Sequence, residues 1–213
     1  MPAEHKYHEY DNFAFHPHHV LLVLLLMGLS ALFLALTASF LYTRVQAGLP
    51  PVRLPAVFLF NTLLLIASGG ALAWARRAYL ADHTNHYQRA LGAAILLSVC
   101  FLLMQVIGWR QLLSQNIHFL SDNSASYLYL ISGLHFVHVI AGLPFLGIFL
   151  QTARKRMVDP VSVLVYFSDP EKRLKLRLLT LYWHFLDGLW IYLVLFFWLN
   201  SLIQVADRAT FHF

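Results

Sequence analysis

The chain alternates between long apolar runs and short polar breaks. Five stretches of about 20 residues or more carry no Lys, Arg, Glu or Asp apart from Asp187: Val20 to Thr43, Leu54 to Ala75, Ala90 to Trp109, Ser124 to Ala153 and Leu178 to Ala206. At a helical rise of about 1.5 Å per residue, each can cross a hydrocarbon core of about 30 Å. None shows the strict alternation of a membrane barrel strand, and a bilayer admits only helices and closed barrels. The pattern predicts an all-α polytopic membrane protein, a single bundle of five transmembrane helices over 20–206. A polar, histidine-rich segment over 1–19 precedes it and a short tail over 207–213 follows. The longest piece between spans, Arg154 to Arg177, is too short for a soluble domain. Residues 1–19 are polar and the first run is too long for a signal-peptide core, so the first helix is expected to be retained.

Composition agrees with this reading. The 213 residues are 59% hydrophobic and 12% charged, with a mean hydropathy of +0.63. A water-soluble globule carries roughly twice that charged fraction. The net charge of +5 is unevenly placed. Eleven basic residues fall on the N-terminal side of the spans: Lys6, Arg76, Arg77, Arg89, Arg154, Lys155, Arg156, Lys172, Arg173, Lys175 and Arg177. Four fall on the other: Arg44, Arg53, Arg110 and Arg208. Basic residues in short loops stay in the cytoplasm, which predicts a cytoplasmic N-terminus and an outer, periplasmic C-terminus. The excess is thus topological and suits anionic headgroups of the inner leaflet; no nucleic-acid partner is implied. Cys100, the single cysteine, lies within the third span and reads as a small buried hydrophobe.

Small residues suggest how the helices meet. Gly28, Ala31, Ala35 and Ala38 form a stripe on the first span, along which another backbone is expected to approach closely. Ser68, Gly69, Gly70 and Ala71 offer a similar face on the second, and Gly92, Ala93 and Ala94 on the third. Pro50, Pro51 and Pro55 mark a stiff turn before the second span, and Pro144 is expected to bend the fourth.

Ionisable groups at membrane depth cost several kcal/mol unless neutral, paired or wetted, so they carry the most information. His135 and His138 share a face of the fourth span, and His184 and Asp187 a face of the fifth. Counted from the same side, the two pairs differ in depth by about 6 Å, which helix tilt can close. A hydrogen-bonded or ionic cluster of His135, His138, His184 and Asp187, linking the last two spans, is the preferred reading. A metal site built from His-x-x-His and a carboxylate, and a proton or lipid-headgroup role, remain as alternatives. Haem ligation fits poorly, because two histidines three residues apart cannot serve two stacked haems. A carboxylate-bridged di-iron site would need glutamates, which the spans lack. His5, His8, His16, His18 and His19 read as interfacial anchors sooner than as metal ligands.

Two runs carry a family signature. Tyr182-Trp183-His184-Phe185-x-Asp187-x-x-Trp190, with Gly133-Leu134-His135-x-x-His138-Val139-x-x-Gly142 before it, closely resembles the paired signature of subunit III of haem-copper oxidases of the cytochrome c oxidase type. Gln105-Val106-Ile107-Gly108-Trp109 is similar to that family's Q-x-x-E-aromatic segment. Phe15-His16-Pro17 and Thr37 to Arg44 resemble bacterial five-helix forms lacking two extra N-terminal helices. Gly108 stands where longer members have a membrane glutamate, so no proton role through that carboxylate carries over.

The resemblance implies an accessory subunit with no redox centre and no catalytic, cofactor or metal-binding residue of its own. It implies a multi-pass protein of the bacterial inner membrane that binds phospholipid and stabilises an oxygen-reducing, proton-pumping complex of the aerobic respiratory chain. Haems and copper would lie in partner subunits I and II, with a larger respiratory supercomplex as a further partner. Subunit III of a quinol oxidase or a nitric oxide reductase-type complex is the alternative within the family. A small stand-alone transporter is the alternative outside it, and would show internal symmetry that these spans lack.

Overall fold

A computed structural model describes residues 17–48, 54–115, 117 and 123–210, with side chains as far as Leu202, His18 excepted. His5, His8, His16 and the side chain of His18 lie outside the described residues. The apolar runs become α1 (Pro17–Ala47), α2 (Ala56–Leu80), α3 (Thr84–Ser114), α4 (Asn123–Arg156) and α6 (Pro170–Thr210), each long and apolar enough to cross a membrane. Most helices overrun their apolar runs, because backbone hydrogen bonds continue into the interfacial zone where polar side chains are welcome. α2 starts late because Pro55 holds the extended N-cap conformation. α4 runs unbroken through Pro144, and α6 continues to Thr210, past the boundary expected for the tail.

The piece between the last two spans is not an open loop. It folds into α5 (Pro160–Ser168), leaving single-residue and three-residue breaks on its two sides. The signal is the repeated Asp-Pro pair. Asp159-Pro160 starts α5, and Asp169-Pro170 ends it and starts α6; Pro suits the first helical position because its missing N–H has no partner there anyway. Asp169 accepts hydrogen bonds from the backbone N–H of Glu171 at 3.0 Å and of Lys172 at 3.3 Å, and its other oxygen meets Lys172 Nζ at 2.8 Å. The α2–α3 turn closes by a Schellman motif: His83 N–H donates to Ala78 O at 3.0 Å and Asp82 N–H to Tyr79 O at 3.4 Å. Asp82 holds the left-handed φ of 55° that this motif requires.

Consecutive spans run antiparallel, while α1 and α6 run parallel, Thr37 meeting Tyr192 and Arg44 meeting Asn200 further along both helices. At one end Tyr79 on α2 donates to Tyr166 O on α5 at 3.0 Å, and Gln88 on α3 donates to Ala153 O on α4 at 3.3 Å. At the other, Arg44 on α1 donates to Asn200 Oδ1 on α6, and Ser39 meets Tyr127 Oη on α4 at 2.6 Å. α6 is the axis of the bundle and contacts α1, α2, α4 and α5; α2 lies along α3, α3 against α4, and α1 against α4 and α6.

The small-residue face expected on α1 is not the buried one. Gly28, Ala31, Ala35 and Ala38 are exposed, and α1 instead buries Leu29, Phe33, Thr37, Phe40 and Arg44. Phe40 alone forms edge contacts with Tyr127, Phe196 and Phe197 at 5.5 to 5.8 Å. Hydropathy does not separate the two faces, because both are apolar; the aromatic row wins by dispersion contact, the main attraction available between helices in lipid. On α2 and α3 the expectation fares better, since Ser68, Gly69 and Ala94 are buried, although Gly70 is exposed.

The Asp169 cap gives a pH-dependent prediction. Its carboxyl is held below the ordinary carboxylate range, first by the hydrogen bond from Lys172. A lowered value stabilises the fold above the usual range and loses that contribution as pH falls through the folded value. Asp169→Ala should cost about 1 kcal/mol at neutral pH. The gap from wild type in detergent melting curves should narrow on acidification.

Candidate functional site: polar seams between the helices

The residues of the second signature run lie on the axial helix. Trp183, Asp187 and Trp190 are spaced by four and three residues, so they share the face of α6 turned into the bundle, and all are buried. Trp183 Nε1–H donates to Ser68 Oγ on α2 at 3.1 Å, and Ser68 Oγ meets Ser98 Oγ on α3 at 2.7 Å. Both serines also reach Ala94 O, at 3.2 and 2.7 Å. One hydrogen-bond chain thus ties three helices together at membrane depth, where polar groups left unpaired are costly. Nothing in the spacing of Ser68 and Ser98 announces this, as both read as ordinary small residues.

The Trp183 ring needs space on its other side. A Cβ at Gly142 on α4 would lie 2.6 Å from Trp183 Cζ3 and 3.1 Å from Tyr182 Cε1, so glycine is required for the close approach. Tyr182 then donates to His138 O at 3.0 Å, completing the α4–α6 seam. Gly133 differs: a Cβ there would meet nothing within 4 Å.

The four ionisable residues do not converge as expected. His184 Nδ1 and Asp187 Oδ2 are 3.6 Å apart on α6, with the His184 side chain about half exposed and that of Asp187 10% exposed. Asp187 faces Gly69 on α2; a Cβ at Gly69 would sit 3.1 Å from Asp187 Cγ and 3.3 Å from His184 Nδ1. His135 is fully buried elsewhere, its ring 4.9 Å from Trp190 and 5.9 Å from Phe101, with no hydrogen-bond partner on either nitrogen. His138 turns towards α1, its ring 6.3 Å from Phe33 and Nδ1 donating to Leu134 O at 2.7 Å. No hydrogen bond or ion pair joins either α4 histidine to His184 or Asp187. The His135 ring packs on Trp190 and Phe101, while the Asp187 carboxyl turns to Gly69 on α2. Asp187 therefore meets α2, not α4.

The remaining motif residues are also spent on packing. Gln105 on α3 accepts from Asn61 Nδ2 on α2 at 2.8 Å, and Trp109 Nε1–H donates to Ser132 Oγ on α4 at 3.1 Å. Gly108 lies under Phe58, whose Cε2 would be 3.1 Å from a Cβ there, and Phe58 stacks on Trp190 at 6.0 Å. The ring occupies the place where a glutamate side chain would begin. Asn61 is the polar residue that hydropathy overlooks, a lone amide inside the second apolar run. Among the described residues, no group of three His, Cys, Asp or Glu side chains is placed to hold a metal ion.

Apolar helices of this length, joined by buried side-chain hydrogen bonds and close glycine contacts, define a multi-pass integral membrane protein. Residues 30–201 match the family model for cytochrome c oxidase subunit III. Over 158 residues the chain is 28% identical to cytochrome c oxidase subunit 3 of Pan troglodytes, of Rattus norvegicus and of Homo sapiens, covering 72% of this chain and 54% of each relative. It spans about half the length of the curated relatives it matches. The chain belongs to the cytochrome c oxidase subunit III family of the haem-copper oxidases.

The two motif glycines give a matched test. Gly142→Ala forces the Trp183 indole to move and should cost about 1–3 kcal/mol, as overpacking of a filled core does. Gly133→Ala should be neutral or slightly stabilising, because alanine is the better helix former by about 1 kcal/mol. Melting curves of the two variants in detergent distinguish these outcomes.

Proposed function

We propose that this chain is the accessory subunit III of a haem-copper terminal oxidase, stabilising an oxygen-reducing, proton-pumping complex in a bacterial plasma membrane. The observation that carries the reading is the use made of the signature residues. Trp183, Gly142, Gln105, Trp109, Tyr182 and Trp190 are engaged in helix packing, so the signature encodes a shape. A rigid bundle of that kind acts by what it presents to its neighbours. Oxidase subunits I and II are its partners in this reading, with haems and copper held there, and phospholipid fills the boundary between them. The excess of basic residues at the α5 end supports a cytoplasmic location for that end.

His184 and Asp187 are the positions where packing and partner contact meet. Asp187 is lodged against Gly69 and aligns α6 with α2, while His184 beside it faces outwards at membrane depth. An exposed imidazole in lipid calls for a polar neighbour, which an adjoining subunit supplies.

Purification in mild detergent through a tag on this chain tests the reading. Haem absorbance with larger co-purifying subunits is expected; a colourless single chain overturns it. Asp187→Asn should shorten the turnover lifetime of the complex while leaving its haem spectrum unchanged. An unaltered lifetime removes Asp187 from the stabilising role.

A further inference from the structure

α5 has two apolar sides. Tyr166 and Phe167 are buried against the bundle, while Val158 just before the helix and Val161, Leu164 and Val165 on it stand outward, 63 to 74% exposed. Val158, Val161 and Val165 line an open groove of about 380 Å³, bounded by the end of α4, by α5 and by the start of α6. Lys155, Arg156 and Lys172 line it too, and Asp159 is the carboxylate among them. Lys172 is paired with Asp169 at 2.8 Å and lies 4.5 Å over the Tyr166 ring. Lys155 and Arg156 form no ion pair among the described residues. Exposed valines beside unpaired cations suit an occupant that is both acidic and apolar.

We propose that the segment of this chain before α1, residues 4–13, lies in the groove. It carries Glu4, Glu9 and Asp11 against Lys6, with Tyr7, Tyr10 and Phe13 interleaved. Its carboxylates answer the unpaired cations and its rings cover the outward valines, so one occupant meets both kinds of lining. Position supports the match. α1 and α6 are parallel, and their side-chain bonds join residues 155 and 156 positions apart. Carried back along both helices, that register sets Pro17, the first residue of α1, level with Lys172 in the groove. α1 packs on α4 and α6, the helices whose ends bound the groove. An extended chain covers about 3.3 Å per residue, so the stretch from Asp11 to Pro17 spans about 20 Å, or about two helix-to-helix spacings. The docking concerns this chain alone and stands apart from the oxidase role.

Zero-length cross-linking with a water-soluble carbodiimide tests this on the full chain, purified in mild detergent with the subunits that accompany it. The reagent joins a lysine amine to a carboxylate where the two touch. Lys172 with Asp169 and Lys175 with Glu171, at 2.8 and 2.7 Å, are the internal controls. Glu4, Glu9 or Asp11 should be found joined to Lys155 and Lys172, and about tenfold less often to Lys175, as a docked segment concentrates its carboxylates at one place. Lys175 lies outside the groove although its side chain is 49% exposed against 21% for Lys172, so a wandering segment would favour it. Links that favour Lys175 or spread evenly overturn the proposal. So do links from Lys155 and Lys172 to a carboxylate of another subunit, which assign the groove to that subunit, and the absence of segment links, which assigns it to lipid. A second readout is labelling of Val161→Cys, on the outward face, with a polar maleimide, beside Ala81→Cys on the exposed α2–α3 turn at the same end. Neutralising the segment by Glu4→Gln, Glu9→Gln and Asp11→Asn should speed labelling at Val161→Cys by about fivefold, the loss of a few exposed ion pairs, and leave Ala81→Cys unchanged. An unchanged rate at Val161→Cys, or an equal rise at both positions, overturns the proposal. Both readouts report on this chain whether or not haem-bearing subunits accompany it.

Discussion

Trp183 sets the spacing of this bundle. Its indole is flat and rigid and carries one donor, which finds a partner on one side while no side chain stands on the other. Ser68 is the partner and Gly142 the vacancy. Satisfying both fixes α2 and α4 relative to α6, and the Ser68–Ser98 bond extends the constraint to α3. In water a hydrophobic core would absorb small errors in such an arrangement. In lipid, where neighbouring tails are as apolar as leucine, the specific contact must supply the preference itself.

The same logic repeats at other levels of the bundle. Asn61 with Gln105, Trp109 with Ser132, Thr37 with Tyr192 at 2.8 Å, and Arg44 with Asn200 each join two helices through a side-chain pair. Glycines at 69, 108 and 142 mark where a large side chain crosses a neighbouring backbone closely. Each pair offsets part of the cost of placing a polar group in hydrocarbon, and each also rejects alternative rotations of the helices.

Which parts of this were legible in the sequence follows from what each signal measures. Apolar length reports whether a segment can cross a bilayer, and so the five spans were readable. It does not report which face of a span is buried, and the exposed stripe from Gly28 to Ala38 was mistaken for a contact face while Phe33 and Phe40 did the packing. The i,i+3 rule brought His184 and Asp187 together correctly but says nothing about neighbours on other helices, where His135 packs on Trp190 and Phe101 and Asp187 meets Gly69. α5 was missed because hydropathy is uninformative between spans, although the two Asp-Pro pairs were a usable helix signal. Ser68, Ser98 and Asn61 become meaningful only once a partner is seen across an interface.

The packing of α1 bears on how the protein comes into being. A ribosome delivers α1 first and α6 last, yet α1 rests on α4 and α6, with Phe40 set against Phe196 and Phe197 and Arg44 held by Asn200. Until α6 emerges, the first helix therefore has only its α4 contacts, with Phe40 lacking two of its three aromatic neighbours and Arg44 lacking its amide partner. Closure of the bundle is a late, long-range event, and the final turns of α6 act as its latch. A chain truncated just short of Asn200 would keep the α4 contacts of its first helix and the Phe196 and Phe197 rings, and would lose the partner of Arg44.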